Sequence, residues 1–234
     1  MMNAVREFAG SSAFFPVLAG IVFYLLGDYM RKKLRVSAIN PLLISIVLTI
    51  TLVLCLRMDY GVYKEGAKFM NYLLTPATVC LAIPLYRRIN ILRGNGVAII
   101  AGITSGAVSS IAVILAMSIA FGLSHGEYVT LLPKSITTAI GLGLSEELGG
   151  DTAVTAAAII VTGVFGNVAG EGILRLFRIK DPVAKGVAMG TASHAIGTTK
   201  ALEMGETEGA VSSLAIVVSG IVTVVAASVF AGLM

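Results

Sequence analysis

The sequence predicts an all-α integral membrane protein of about 6 to 7 transmembrane segments, with broken or re-entrant helices and an inverted repeat. Three observations lead there. Hydrophobic residues make up 56% of the 234-residue chain and charged residues only 13%, whereas a soluble domain carries about 25% charged residues. Apolar runs approach the ~20 residues needed to cross a ~30 Å hydrocarbon layer. Two further stretches, 128–144 and 186–203, mix glycine with Lys, His, Ser and Thr; backbone and side chains of that kind are tolerated at membrane depth only where protein or water covers them.

Taken in order, the apolar runs 13–30, 41–57, 97–122, 152–174 and 210–233 read as spans. The first is a retained span rather than a cleaved signal. Arg6 is balanced by Glu7, no small-x-small cleavage site follows, and Arg31, Lys32, Lys33 and Arg35 stop the run. The stretch 72–86 is apolar but holds Pro76 and Pro84, and proline removes a backbone donor and crowds the preceding turn, so it reads as a broken span. Small residues four apart at Gly102 and Gly106, Gly166 and Gly170, and Gly186 and Gly190 mark places where helices approach closely.

The net charge is +4, and the Lys and Arg residues cluster beside hydrophobic runs. That is the pattern of topology signals, and nucleic-acid binding is not expected. The cations at 31–35, Arg87, Arg88 and Arg93, then Arg175, Arg178, Lys180 and Lys185 belong on the cytoplasmic side, which puts the N-terminus outside. The chain is read as a single transmembrane domain over 1–234, multi-pass in the inner (cytoplasmic) membrane.

With span 152–174 running inward, the segment 128–150 must enter from outside and return there, as a re-entrant hairpin does. The segment 186–203 is either a second hairpin from the cytoplasm or a broken helix that crosses. The first option pairs halves 128–174 and 186–233; the second pairs 41–122 with 152–233. Either is an inverted repeat of the kind that places a transporter site at the midplane between repeats.

Two constellations could carry chemistry. Around Pro133, a cation (Lys134), hydroxyls (Ser135, Thr137, Thr138) and the backbone amides of a helix start cluster before Gly141 and Gly143. Helix N-terminal amides attract anions and the ammonium adds charge, so a small carboxylate fits; alternatively Lys134 snorkels to the interface. The second constellation is Thr191, Ser193, His194, Gly197, Thr198, Thr199 and Lys200. Histidine titrates near neutrality, so His194 could carry a coupling proton or bond substrate, or simply join two helices. No bound cofactor is expected, a coupling proton or sodium ion aside. Pro76, Thr78 and Asn167 are candidates for a cavity wall, and Glu171 with Arg175 reads as an i,i+4 ion pair.

Enzyme chemistry is not expected. The sequence has no nucleophile elbow or phosphate loop, and its two histidines, His125 and His194, lack metal-ligand spacing. Cys55 and Cys80 sit in apolar surroundings without the spacing of a disulfide framework or zinc site.

Five segments carry a resemblance: NPLL (40–43), LLTPATVCLAIPLY (73–86), LLPKSITTAI (131–140), KGVAMGTASHAIGTTKA (185–201) and EGAVSSLAIVVSGI (208–221). In this order they resemble the LrgB/CidB family. The resemblance implies two functions. Bacterial members are described as antiholin-like autolysis modulators, partnered by a small holin-like membrane protein of the LrgA/CidA type. Other members, a plastidial relative among them, look like translocators of pyruvate, glycolate or glycerate. The sequence-level expectation is therefore a carrier of small monocarboxylates linked to autolysis, with substrate held by Lys134, Ser135, Thr137, Thr138, Ser193, His194, Thr198 and Thr199. The alternative is a non-transporting modulator of murein hydrolase activity and programmed lysis. By analogy with other compact carriers, a homo-oligomer in the lipid bilayer is expected.

Overall fold

The computed structural model describes residues 12, 14–34 and 40–234, all of whose regular elements are helices. Arg6, Glu7 and Arg35 lie outside the described residues. The chain forms two compact units, one ending at Cys80 and the other covering Leu81–Met234.

In the first unit, α1 (Phe15–Leu34) and α2 (Pro41–Cys55) pack together, followed by α3 (Tyr60–Gly66) and α4 (Lys68–Cys80). Asn40 starts α2 by accepting from the amides of Leu42 and Leu43 at 2.9 and 3.2 Å, with Pro41 in the first helical position where its missing N–H costs nothing. At 15 residues, α2 is ~22 Å long, short of the hydrocarbon thickness. Gly27 lets α1 lie against Pro41, since a Cβ there would stand 2.9 Å from the Pro41 backbone. Pro76 lies inside α4 without ending it. The helix instead stops at Cys80, and α5 (Ala82–Arg87) begins after Leu81. Pro84 supplies the reason, because it cannot donate to the carbonyl four residues earlier and its ring crowds that position.

The second unit continues through α6 (Ile89–Gly94) into three long apolar helices, α7 (Gly96–Phe121), α10 (Thr152–Leu176) and α12 (Glu206–Ala231), of 26, 25 and 26 residues. At ~37–39 Å each can cross a bilayer; by length and composition the chain is a membrane protein. Between them lie two helical hairpins. The first is α8 (His125–Leu131) and α9 (Thr138–Glu147), joined by a tip at 132–137. Its open end is tied by Thr130: the Thr130 hydroxyl accepts from the Asp151 amide at 2.8 Å, and the Thr155 hydroxyl donates to the Thr130 carbonyl at 2.8 Å.

The second hairpin is α11 (Pro182–Met204), broken at Ser193 (φ −133°, ψ 16°) and His194 (φ 43°, ψ −140°). Its contacts decide the option left open by the sequence. Gly186 lies against Val211 and Gly190 against Ala215, so the first leg runs alongside α12; Thr198 then bonds Ser212 at 2.7 Å and Leu202 meets Gly209, back where the leg began. Met189 also packs with Ala201 and Leu174. The segment turns back on itself rather than crossing.

The hairpins approach from opposite ends of α10. The first is anchored at Thr155 and places Gly141 against Ile159; the second starts near Ile179 and Leu174 and brings His194 to Gly163 and the Ile159 carbonyl. Their tips therefore meet at the middle of α10. Close approach rests on glycine: a Cβ at Gly166 would overlap the Ser193 side chain, and one at Gly170 would stand 2.6 Å from the Met189 sulfur. The four-residue glycine spacing works as packing at each of the three pairs, with Gly102 and Gly106 facing Val187 and Thr191.

Candidate functional site

One face of α7 carries Gly102, Ser105, Gly106, Ser109 and Ser110 at helical spacing, and the first leg of α11 faces it with Val183, Val187, Ala188 and Thr191. Between them runs a cavity of about 900 Å³ that extends from Asn95 and Asp181 to Lys134 and Ser135 at the first hairpin's tip. The lining positions from Asn95, the N-cap of α7, to Val113 cover ~27 Å along the helix axis. Small side chains make the space, because α7 keeps glycine, alanine and serine on this face while its Ile99, Ile103, Ile111 and Ile114 are buried in the core.

Local structure explains how Lys134 arrives at the end of this cavity. Pro133 cannot continue a helix, and α8 ends in short turns in which the Lys134 amide bonds the Leu131 carbonyl and the Ile136 amide bonds the Pro133 carbonyl. Ile136 and Leu132 are buried in the core of the unit, and Lys134 and Ser135 between them face the cavity. The Lys134 ammonium donates to Ser135 Oγ at 3.0 Å and to Ser110 Oγ at 3.4 Å, and the two serine hydroxyls are 3.1 Å apart. Among the described lining residues the carboxylate is Asp181, at the far end, where it accepts from the Ala184 amide at 2.8 Å as the cap of α11. The ammonium is thus bonded by neutral hydroxyls and faces open space. Thr191, against Gly106 in the same lining, is buried, with an Oγ1 that has no hydrogen-bond partner among the described residues. An unmet buried hydroxyl costs about 1–3 kcal/mol.

The second tip is arranged differently. His194 is 3% exposed and its Nε2 lies 3.0 Å from the Ile159 carbonyl; since a carbonyl only accepts, Nε2 carries the proton in this bond. The Thr198 hydroxyl donates to the His194 carbonyl at 2.9 Å, closing the break in the helix. Asn167 Nδ2 donates to the Ile196 carbonyl at 2.7 Å and to Thr199 Oγ1 at 2.8 Å. Lower on the same leg, Lys200 bonds Glu171 at 2.9 Å, and Glu171 also holds Arg175 at 2.5 Å.

Of the residues proposed from sequence, Lys134 and Ser135 line the cavity. Thr137 caps α9 through its backbone, Thr138 is exposed, and neither lines it. Ser193, His194, Thr198 and Thr199 belong to the packed second tip, and Asn167 braces that tip from α10. Pro76 belongs to the first unit, and the side chain of Thr78 lies outside the described residues. Sequence reasoning missed Ser110, Ser105 and Ser109. The available signal was hydroxyls three to four apart on an otherwise apolar helix, on the same face as Gly102 and Gly106.

The sequence matches the LrgB-like family over residues 20–233. The chain belongs to that family. Among LrgB relatives, the antiholin-like protein LrgB of Bacillus mycoides (strain KBAB4) is 35% identical over 218 residues, covering 93% of this chain and 95% of the relative. The proteins of the same name from Bacillus cereus (strain B4264) and Bacillus anthracis (strain CDC 684 / NRRL 3495) match to the same extent. No solved structure matches the chain.

Proposed function

We propose that the chain modulates lysis at the inner membrane, the antiholin-like role in the names of its relatives, and that it does so as a carrier of small monocarboxylates. The lysis part has the firmer support, since it rests on relatives that cover nearly the whole chain. The carrier part rests on one observation: a long cavity that ends on an ammonium with no carboxylate partner among the described residues.

An anion of the pyruvate or glycolate class would travel along the serine face of α7 and pair with Lys134. Ser110 and Ser135 can turn their hydroxyls to the carboxylate. Charge-assisted bonds of this kind are roughly twice as strong as neutral ones. Hairpin 128–150 with α10, and hairpin 186–203 with α12, supply two halves of opposite sense, the inverted repeat that alternating access uses. A coupling proton or a sodium ion would drive the cycle. A small holin-like LrgA/CidA-type partner and a homo-oligomer belong to the same proposal.

A second reading, a modulator of murein hydrolase activity that transports nothing, is favoured by the relatives' names alone. Liposomes holding the purified chain separate the two. The carrier reading expects saturable uptake of labelled pyruvate or glycolate that collapses in Lys134→Ala. It fails if none of the small carboxylates tested is taken up while Lys134→Ala still complements a lysis phenotype.

A further inference from the structure

At the end of α10 the chain makes a tight turn. Arg178 N–H bonds the Arg175 carbonyl and Ile179 N–H bonds the Leu174 carbonyl, with Ile179 packed on Leu174. This is a Schellman cap, and its left-handed position is usually glycine. Here Arg178 occupies it at φ 57°. An L side chain is disfavoured in that region, so what needs explaining is the arginine rather than the turn.

The Arg178 side chain lines a separate concavity of about 330 Å³ with Arg175, Lys180 and Lys185, over a floor of Leu174, Ile179 and Met204. Glu171 is also in its wall, but its carboxylate is taken by Arg175 and Lys200. Among the described residues Arg178, Lys180 and Lys185 have no carboxylate within ion-pair distance. Three cations at a membrane edge would serve topology wherever they stood on the loop. Gathered around one pocket, they also form a receptor for a compact polyoxygen anion. Immediately outside it, at the end of the long apolar helix, Leu176 and Phe177 are 76% and 71% exposed. A ligand that fills the pocket and lies on these side chains is anionic at one end and apolar at the other.

We propose that this pocket binds the phosphate of an anionic phospholipid headgroup, with the acyl chains against Leu176 and Phe177. Basic pockets between spans on the cytoplasmic side suit such headgroups. The site is distinct from the cavity at Lys134 and does not depend on transport. Bound there, a lipid would tie the turn after α10 to the first leg of α11, through Arg178 and Lys185.

The test is saturation binding of a fluorescent phosphatidylglycerol to the full chain in neutral detergent, with phosphatidylcholine and inorganic phosphate as separate arms. Phosphatidylglycerol should bind saturably, phosphatidylcholine should not compete, and inorganic phosphate should compete far more weakly. Arg178→Gly keeps the backbone in a conformation that glycine prefers, so thermal stability without lipid should hold or rise while lipid affinity falls about fivefold. Lys185→Gln should lower it by a similar factor, about fivefold. Phosphatidylglycerol affinity unchanged in both variants overturns the proposal. Inorganic phosphate binding as tightly as the lipid overturns the lipid assignment and leaves a free-anion site.

Discussion

At the tip of the first hairpin a lysine touches two serine hydroxyls and faces a cavity, whereas at the tip of the second a histidine is buried against a backbone carbonyl. Both tips reach the middle of α10, and both follow a break in a helix. The first break is built on Pro133 and spread over several residues. The second is two residues long, concentrated at Ser193 and His194 and closed by the Thr198 hydroxyl. A wide break leaves donors free for a guest; a narrow one uses its donors internally. The hairpin bases differ as well. Glu127 and Asp151 line a pocket of about 520 Å³ beside the first, while arginines and lysines line the pocket beside the second. That contrast is the one expected of outer and cytoplasmic faces.

The largest test of the contrast is steric. Gly166→Leu drives a side chain into Ser193, where the neighbouring backbone is already at positive φ. Overpacking of this sort costs typically 1–3 kcal/mol, and we expect about 3 kcal/mol here, read as a fall in thermal midpoint and folded yield. Gly172 has open space around it and is exposed on the same helix, so Gly172→Ala should stabilise by roughly 0.5–1 kcal/mol.

Next comes a pair that separates guest binding from folding. Lys134→Ala should cut carboxylate uptake at least about tenfold, the worth of one charge-assisted bond, and leave the melting profile close to wild type. His194→Ala should do the reverse, costing about 1–2 kcal/mol of stability through the lost bond to Ile159, with uptake per folded molecule largely kept. If His194→Ala folds as well as wild type and yet abolishes uptake, the second tip contributes directly to the site and the contrast breaks.

A smaller effect concerns the leg behind the second tip. Lys200 and Glu171 are 21% and 32% exposed at the side chain, so their coupling in a double-mutant cycle of Lys200→Met and Glu171→Gln should be about 0.5–1 kcal/mol and weaken with salt. The smallest lies at the base of the first hairpin. The hydroxyl of Ser124, and then its amide, hold the Glu127 carboxyl below its ordinary value of 4.5, each donating to it at 2.7 Å, while the Glu127 amide donates back to the Ser124 hydroxyl at 3.3 Å. A depressed folded value means that the cap is fully stabilising above 4.5 and is lost as pH falls through the lowered value. Stability measured from pH 6 downward should therefore show a slight acid loss that Glu127→Gln removes.

Much of this was legible in the chain. Apolar runs longer than ~20 residues can only be satisfied by helices in lipid, which is why the spans ending near Phe121, Leu176 and Ala231 were readable to within a few residues. The breaks at Pro133 and around His194 were readable too, since proline, glycine and hydroxyl side chains interrupt helices locally. The glycine pairs announced close packing without naming what packs. The break in the stretch 72–86 was readable from its two prolines, and the structure puts it at Leu81, ahead of Pro84.

By itself the sequence determined the membrane class, the family, and the breaks that carry a lysine and a histidine, because each depends on local composition and short spacing. Tertiary structure alone decided that residues 186–203 turn back instead of crossing, that Ser110 meets Lys134 while Thr137 and Thr138 turn elsewhere, and that His194 is spent on a carbonyl 35 residues away. The physical reason is that a hydrogen-bonding side chain advertises a need for a partner without specifying one. Lys134 and His194 present the same kind of demand in the sequence. Which of the two is met within the protein, and which remains open to a guest, depends on what the neighbouring helices bring within 3 Å.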